Sequence, residues 1–510
     1  MSASSPTSAS RPPRSTAQYD EELLRRIGVQ PVLARRMSGF GNFAISFSII
    51  SILSGCMTLF GNGMGTGGPA VMIWGWVGVG ALVLLVGLGL AEVTSAYPTA
   101  GALFFMAERL GGTRGRAWGW VTGWLNLLGL LGAIAGIDYG AAQFTGALIA
   151  MRSTFIPDEY STLGIYAAIL LLHALLNLFG VRVLDLFNRV SVVWHLAGVA
   201  LIVAVLVAVP TQHQSVSFVL THYVNTTGFH SAVYVSAIGL LLAGYTFSGY
   251  DASAHLSEET EHAAVAAPKG IIRAIWTSWI AGAVLIAGML YAIRDYDVEA
   301  AAAVAPAQIF TDALGPNWAQ ALLAVVIVAQ LCCGLAATGS ASRMVFAFSR
   351  SGAMPGSGLW RRTNRHKVPV NAVWLAIGVA FALALPSLWN PTAYNAVVAI
   401  NVIGITPAYA IPIWLRVRAG SKFVPGEWSL GRWGRPIGIT AVIWVVAETV
   451  LFCLPQTRPV WSWTHFNYAP VALLAVLLLA AALWPRWGRR AGDSATAALE
   501  ADKFSDIPVI

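Results

Sequence analysis

The chain has 510 residues, of which 57% are hydrophobic and only 11% are charged. A soluble protein carries about 25% charged residues, and a water-facing surface of this extent could not be covered with so few, so a soluble fold is excluded. The formal net charge of +8 raises the question of nucleic acid, but the basic residues are distributed from loop to loop, and no nucleic-acid partner is expected.

Residues 1–37 are polar, rich in Ser and Pro, and carry Arg11, Arg14, Arg25, Arg26, Arg35 and Arg36. No small-residue cleavage pattern follows the first apolar run, so the segment reads as a retained cytoplasmic tail rather than a secretory signal. A short amphipathic piece is expected around Glu21–Ile27.

A helix needs about 20 apolar residues to cross roughly 30 Å of hydrocarbon. In the first half, runs of this kind predict helices over 40–66, 70–95, 117–147, 161–180, 188–209 and 231–256. In the second half they fall at 269–294, 318–349, 370–388, 393–417, 436–456 and 468–484. Backbone groups in a lipid bilayer must be satisfied internally, and no alternating strand pattern appears. The expected fold class is therefore an all-α polytopic membrane protein of about twelve transmembrane helices.

With the N-terminus inside, alternate connections and the adjoining helix ends collect every Lys and Arg except Arg152, Arg294 and Arg458. One missed or invented helix would invert every later loop and destroy that asymmetry. The basic excess is thus an orientation signal that places both termini in the cytoplasm. Cys56, Cys332, Cys333 and Cys453 all sit in apolar runs and read as small packing residues. No cofactor is implied.

Transporters often unwind two helices in corresponding positions of inverted repeats, freeing backbone groups for substrate and ions. The first run contains Ser54-Gly55-Cys56 near its middle, the better candidate for an unwound point. The Gly-rich stretch from Gly61 to Pro69 reads as a tight turn into the second helix. The sixth run contains Gly244-Tyr245-Thr246-Phe247-Ser248-Gly249-Tyr250-Asp251, where small and hydroxyl residues surround aromatics. The odd offset from the first run to the sixth makes the two halves inverted. Residues 38–210 would form the first five-helix repeat and 231–418 the second. Residues 436–484 would be two peripheral helices and 485–510 a cytoplasmic C-terminal tail.

At these residues the chain resembles a known family. Gly67-Gly68-Pro69 to Trp76, Ala91-Glu92-Val93 to Gly101, and Ser248-Gly249-Tyr250-Asp251 to Pro268 look like the amino acid–polyamine–organocation superfamily. The nearest resemblance is to its amino acid/choline branch, the GABA-permease-like proteins. Gly-Tyr-Asp-Ala-Ser-Ala-His (249–255) followed by Glu258-Glu259 is the most specific match. Ala341-Ser342-Arg343, Ala347-Phe348-Ser349-Arg350 and Met354-Pro355 also fit, and the resemblance covers residues 38–484.

The resemblance implies a 5+5 core with discontinuous first and sixth helices. It also implies that a substrate carboxylate meets Ser54, Gly55 and Cys56. Phe247, Ser248 and Gly249 would receive the amino group through carbonyl oxygens, with Phe247 and Tyr250 as lids or walls. Such a site suits a zwitterion, since one end needs N–H donors and the other needs acceptors. A carboxylate inside the bilayer is usually interior and functional, so Asp251 is expected either to act in the substrate site or gate, or to cap a half-helix.

Asp138, toward the outer part of the third run, could contact an amine or be a solvated helix-end residue. His195 falls where some proton-coupled relatives carry a lysine. Because His titrates near neutral pH, it is the expected proton-coupling residue, against a hydrogen-bonded core His. His173 and Glu448 have no placed partner. His255, Glu258, Glu259, Glu261 and His262 lack the H-E-x-x-H spacing of a metal site, and read as a solvated acidic surface or a gate salt bridge. Glu92 is either a latch or a snorkelled carboxylate.

The expectation is a secondary active amino acid permease of the plasma membrane, moving amino acids or related amines such as GABA by alternating access, with the proton as coupling ion. An exchanger and a choline or ethanolamine transporter are the alternatives, although Trp194, Phe247 and Tyr250 do not establish an aromatic cage for a quaternary ammonium. An integral-membrane enzyme would need a catalytic constellation, and no GxSxG, HExxH or P-loop is present. The oligomeric state is not readable.

Overall fold

The computed structural model describes residues 16–29, 35–364, 368–390 and 393–489. Among the described residues, eleven helices are long and apolar enough to cross a membrane, and with the shorter apolar segment Ala232–Thr246, taken as the sixth span, the spans number about twelve. The spans fall within a few residues of the apolar runs, except that the first ends at Thr58 and is followed by a separate short helix, Phe60–Gly65. Gly67 (φ 94) and Gly68 (φ 64) then turn the chain into the second span, Gly68–Ala96. Both adopt the left-handed conformation that glycine takes without steric penalty.

The first, third (Gly115–Ala150) and tenth (Ala393–Ala419) spans are almost wholly enclosed, whereas the eleventh (Gly434–Cys453) and twelfth (Ala469–Leu483) are mostly exposed. Val446, Leu474 and Leu478 stand outward from these last two, as a lipid-facing helix requires. The third and tenth spans cross backbone to backbone at Gly129 and Gly404. A Cβ on Gly404 would lie 2.6 Å from the Gly129 amide nitrogen, so neither position admits a side chain without moving a helix.

The amphipathic N-terminal piece is the helix Thr16–Arg26. Its buried Asp20 pairs with Arg35 (3.0 Å) and accepts from the His262 amide (2.8 Å), which ties this helix to the entrance of the seventh span, Ala263–Tyr291.

Candidate functional site

The first span is interrupted at Ser51, between Gly39–Ile50 and Ile52–Thr58. Ser51 adopts φ 33 and ψ 82, a left-handed conformation that costs an L-residue roughly 1–2 kcal/mol. A residue so placed stops the helical ladder, leaving carbonyls before it and amides after it for other partners. The Cys333 thiol of the eighth span, Pro316–Arg350, takes one of these, donating to the Ile49 carbonyl at 3.2 Å.

The break therefore lies three residues before the expected one. Ser54, Gly55 and Cys56 belong to the second half-helix, where Ser54 and Gly55 donate to the Ser51 carbonyl at 2.8 and 2.9 Å. The Ser54 hydroxyl is buried and has no partner. A Cβ on Gly55 would stand 2.5 Å from Thr246 Oγ1, so this glycine lets the first span touch the sixth.

His195, on the fifth span Val181–Ala208, holds the break. Its Nδ1 lies 2.8 Å from the Ser191 carbonyl and its Nε2 lies 2.7 Å from Ser51 Oγ. A carbonyl can only accept, so Nδ1 carries the hydrogen, and a neutral ring accepts from the Ser51 hydroxyl at Nε2.

The sixth span breaks where its composition predicts. Helix Leu241–Thr246 ends, Phe247–Asp251 is non-helical, and the short helix Ala252–His255 follows. Gly249 has φ 85, and a Cβ there would overlap Ile49 of the first span. Ser248 donates to Asn401 Oδ1 (2.8 Å). Phe247 packs on Trp76 with ring centroids 4.3 Å apart, and Tyr250 on Tyr409 at 4.7 Å. Both aromatics are fully buried.

Asp251 is fully buried and makes no side-chain cap to the helix that follows it, so the capping alternative fails. Its carboxylate instead accepts from Tyr409 (2.8 Å) and Asn126 (3.0 Å) and faces His255 Nε2 at 3.1 Å. The Tyr409 hydroxyl in turn accepts from the Gly249 amide at 3.0 Å. Two residues from other spans thus hold the sixth-span break in shape. His255 Nδ1 faces the Ala100 carbonyl at 3.4 Å, so both ring nitrogens meet acceptors.

The neighbouring acidic cluster is only partly solvated. Glu261 and His262 are exposed, but His255, Glu258 and Glu259 are buried. Glu258 pairs with Arg350 (3.1 Å) and accepts from the Ala100 amide (2.8 Å), while Glu259 pairs with Arg343 at 2.6 Å. Glu92 is buried rather than snorkelled, accepting from Arg416 and from the Leu430 amide, each at 3.1 Å. These pairs gather at the arginine-rich end of the bundle. At the opposite end lies a cavity of about 860 Å3, whose lining includes Tyr139, Gln143, Asp158, Gln308, Trp389 and Tyr394. The rings of Tyr139 and Tyr394 stack 5.4 Å apart.

Asp138 is not a solvated helix-end residue. It is fully buried, with its carboxylate engaged by His173. Sequence reasoning missed Asn126, Asn401 and Tyr409 as partners of the sixth-span break, and it placed His255 in the acidic cluster rather than against Asp251. Of these, His255 carried a usable signal, being one helical turn after Asp251 on the same face.

Two interrupted helices facing each other across an enclosed polar centre, sealed at one end and hollow at the other, define a carrier of the amino acid–polyamine–organocation type. The amino acid permease family profile matches residues 38–478, and the chain belongs to that family. It is 40% identical over 481 residues to the rice "Amino-acid permease BAT1 homolog", covering 90% of this chain and 92% of that one. It is 38% identical over 484 residues to the Arabidopsis "Amino-acid permease BAT1", covering 90% and 93%. It is 28% identical over 477 residues to the "GABA-specific permease" of Saccharomyces cerevisiae, covering 90% and 83%.

Proposed function

We propose that this permease is a proton-coupled secondary carrier that moves amino acids or related amines, GABA among them, across the plasma membrane by alternating access. The reading rests above all on the two facing breaks, at Ser51 and at Phe247–Asp251, which touch through Gly55–Thr246 and Gly249–Ile49. Amides at the start of Ile52–Thr58, beside the unpartnered Ser54 hydroxyl, offer donors to a carboxylate. Carbonyls of Phe247, Ser248 and Gly249 offer acceptors to an amine.

The inverted repeats, 38–210 and 231–418, are part of this proposal. They are supported by the positions of the breaks, one in each half. The ion pairs at one end and the cavity at the other correspond to a carrier closed to the cytoplasm and open to the exterior, if the arginine-rich end is cytoplasmic as the loop charges indicate. His195 is the proposed proton sensor. Protonation turns Nε2 into a donor, so the Ser51 hydroxyl must reverse from donor to acceptor at the hinge.

Purified protein in proteoliposomes, given radiolabelled γ-aminobutyrate and proteinogenic amino acids, is expected to accumulate at least one of them saturably when an inward proton gradient is imposed. Uptake that ignores the gradient and occurs only against a preloaded substrate would replace the symporter reading with an exchanger. His195→Ala with undiminished dependence on the gradient would remove the histidine from the mechanism.

A further inference from the structure

A second carboxylate–imidazole pair lies between the third and fourth spans. Asp138 of the third span and His173 of the fourth, Glu159–Asn177, meet at 2.9 Å with side chains 0% and 1% exposed. Neither is fully satisfied, because Asp138 Oδ1 and His173 Nε2 are buried without partners. The eighth span closes over them at Gly334, where a Cβ would collide with Asp138 Oδ1 and lie 2.5 Å from His173 Cε1. Asn177 ties the fourth span to this seam, donating to the His173 carbonyl at 2.9 Å and the Leu335 carbonyl at 3.2 Å.

The chemistry of the surroundings decides what the pair can do. The titratable groups facing Asp138 are Tyr166 of the fourth span, Tyr245 of the sixth and Cys333 of the eighth, with Tyr139 beside it on the third. All are neutral near pH 7, so His173 alone among them can supply a positive charge. With one shared proton the pair has no net charge. Without it, a bare carboxylate is left among apolar helices, a state costing several kcal/mol in such surroundings.

Tyr139, the residue next to Asp138, lines the 860 Å3 cavity, so the open end of the molecule comes within one residue of the pair. Tyr245 belongs to the half-helix just before the sixth-span break. Its hydroxyl is buried without a partner, 2.8 Å from where a Gly136 Cβ would stand.

We propose that Asp138 and His173 form a proton-binding site, distinct from His195, that is loaded from the cavity and emptied once in each transport cycle. Tyr245 is the positioning residue that reports its occupancy to the sixth span. The proton comes from water and is shared between Oδ2 and Nδ1, and its departure returns the carboxylate to its charged form.

The inference rests on the proton-coupled reading above, and one experiment separates the two. Proteoliposomes holding a trapped pH dye are given a radiolabelled mixture of proteinogenic amino acids and γ-aminobutyrate, and the ratio of proton flux to substrate flux is measured from pH 5 to pH 8. Wild-type protein that transports with no substrate-dependent proton flux sinks the proton-coupled reading and this site with it. If the wild type couples, His173→Gln and Asp138→Asn are expected to lower the ratio roughly tenfold or more and flatten its pH profile.

Tyr245→Phe keeps the pair and is expected to lower the ratio in the same direction. Unchanged ratios and pH profiles in His173→Gln and Asp138→Asn overturn the proposal. So does loss of all transport in these two variants while Tyr245→Phe couples normally, since the pair would then be a structural brace.

Discussion

The two helix breaks solve one problem by different means. The first span turns at a single residue, Ser51, which is not glycine and is held left-handed by one hydrogen bond to His195, 144 positions away in sequence. The sixth span opens over Phe247–Asp251, uses Gly249 at φ 85, and is tied to the third and tenth spans through Asn126, Tyr409 and a buried carboxylate. A one-residue hinge stores strain and depends on a single side-chain partner. A five-residue opening relieves strain and depends on a polar network. The first break thus rests on one strained residue, and the second on a network of polar contacts.

Substitutions can break or sharpen that contrast. Gly249→Ala should have the largest effect. It adds about 1–2 kcal/mol for the left-handed residue and about 1–3 kcal/mol for overlap with Ile49, so uptake should be lost and thermal stability in detergent lowered. Adding Ile49→Ala should recover the packing part only. If both parts recover, backbone strain is not what Gly249 avoids.

Tyr409→Phe comes next, because it strips the partner from the Gly249 amide and one from Asp251, at about 1–3 kcal/mol for each buried group left unmade. A thermal-shift loss below that range would mean that the network is slack. Ser51→Gly should be nearly neutral in stability, since relief of about 1 kcal/mol of strain offsets a lost hydrogen bond of about the same size. Its pH profile of uptake should nevertheless flatten. A preserved profile would show that Ser51 and His195 do not act together.

The last effect should lie outside both breaks. Glu299, in the connecting helix Tyr296–Ala301, is pushed up to about 7 by burial. An acid whose folded pKa lies above its unfolded value weakens the fold when ionised, so stability should fall as pH rises from about 4.5 to just above 7. Glu299→Gln should remove that slope and gain about 1 kcal/mol at pH 8, read as a flat melting temperature against pH.

The spans were legible because lipid demands long apolar runs and because loop charge alternates with each crossing. The sixth break was legible for a similar local reason, since Gly, Ser and Asp interrupt an apolar run. Ser51 was not, because Ile-Ile-Ser-Ile reads as continuous helix and the residue that bends it lies on another span. Ser54-Gly55-Cys56 drew attention through its small residues, but Gly55 turned out to serve close approach to Thr246 rather than unwinding. Glu258 and Glu259 read as a solvated surface or a gate salt bridge, and their arginines, 92 and 84 residues further along, could not be paired by spacing alone. The contacts of Asp251 with Asn126 and Tyr409, and of Asp138 with His173, are equally products of tertiary packing.

The crossing of Gly129 over Gly404 has a practical consequence for anyone who sets out to watch this molecule move. Two helices with no side chain between them have nothing to compress and no gap to close, so the distance across that seam is fixed by the backbone itself. Spin labels or fluorophores attached near the ends of the third and tenth spans would therefore share one rigid frame, and displacements of the first and sixth spans could be measured against it. The molecule carries its own ruler.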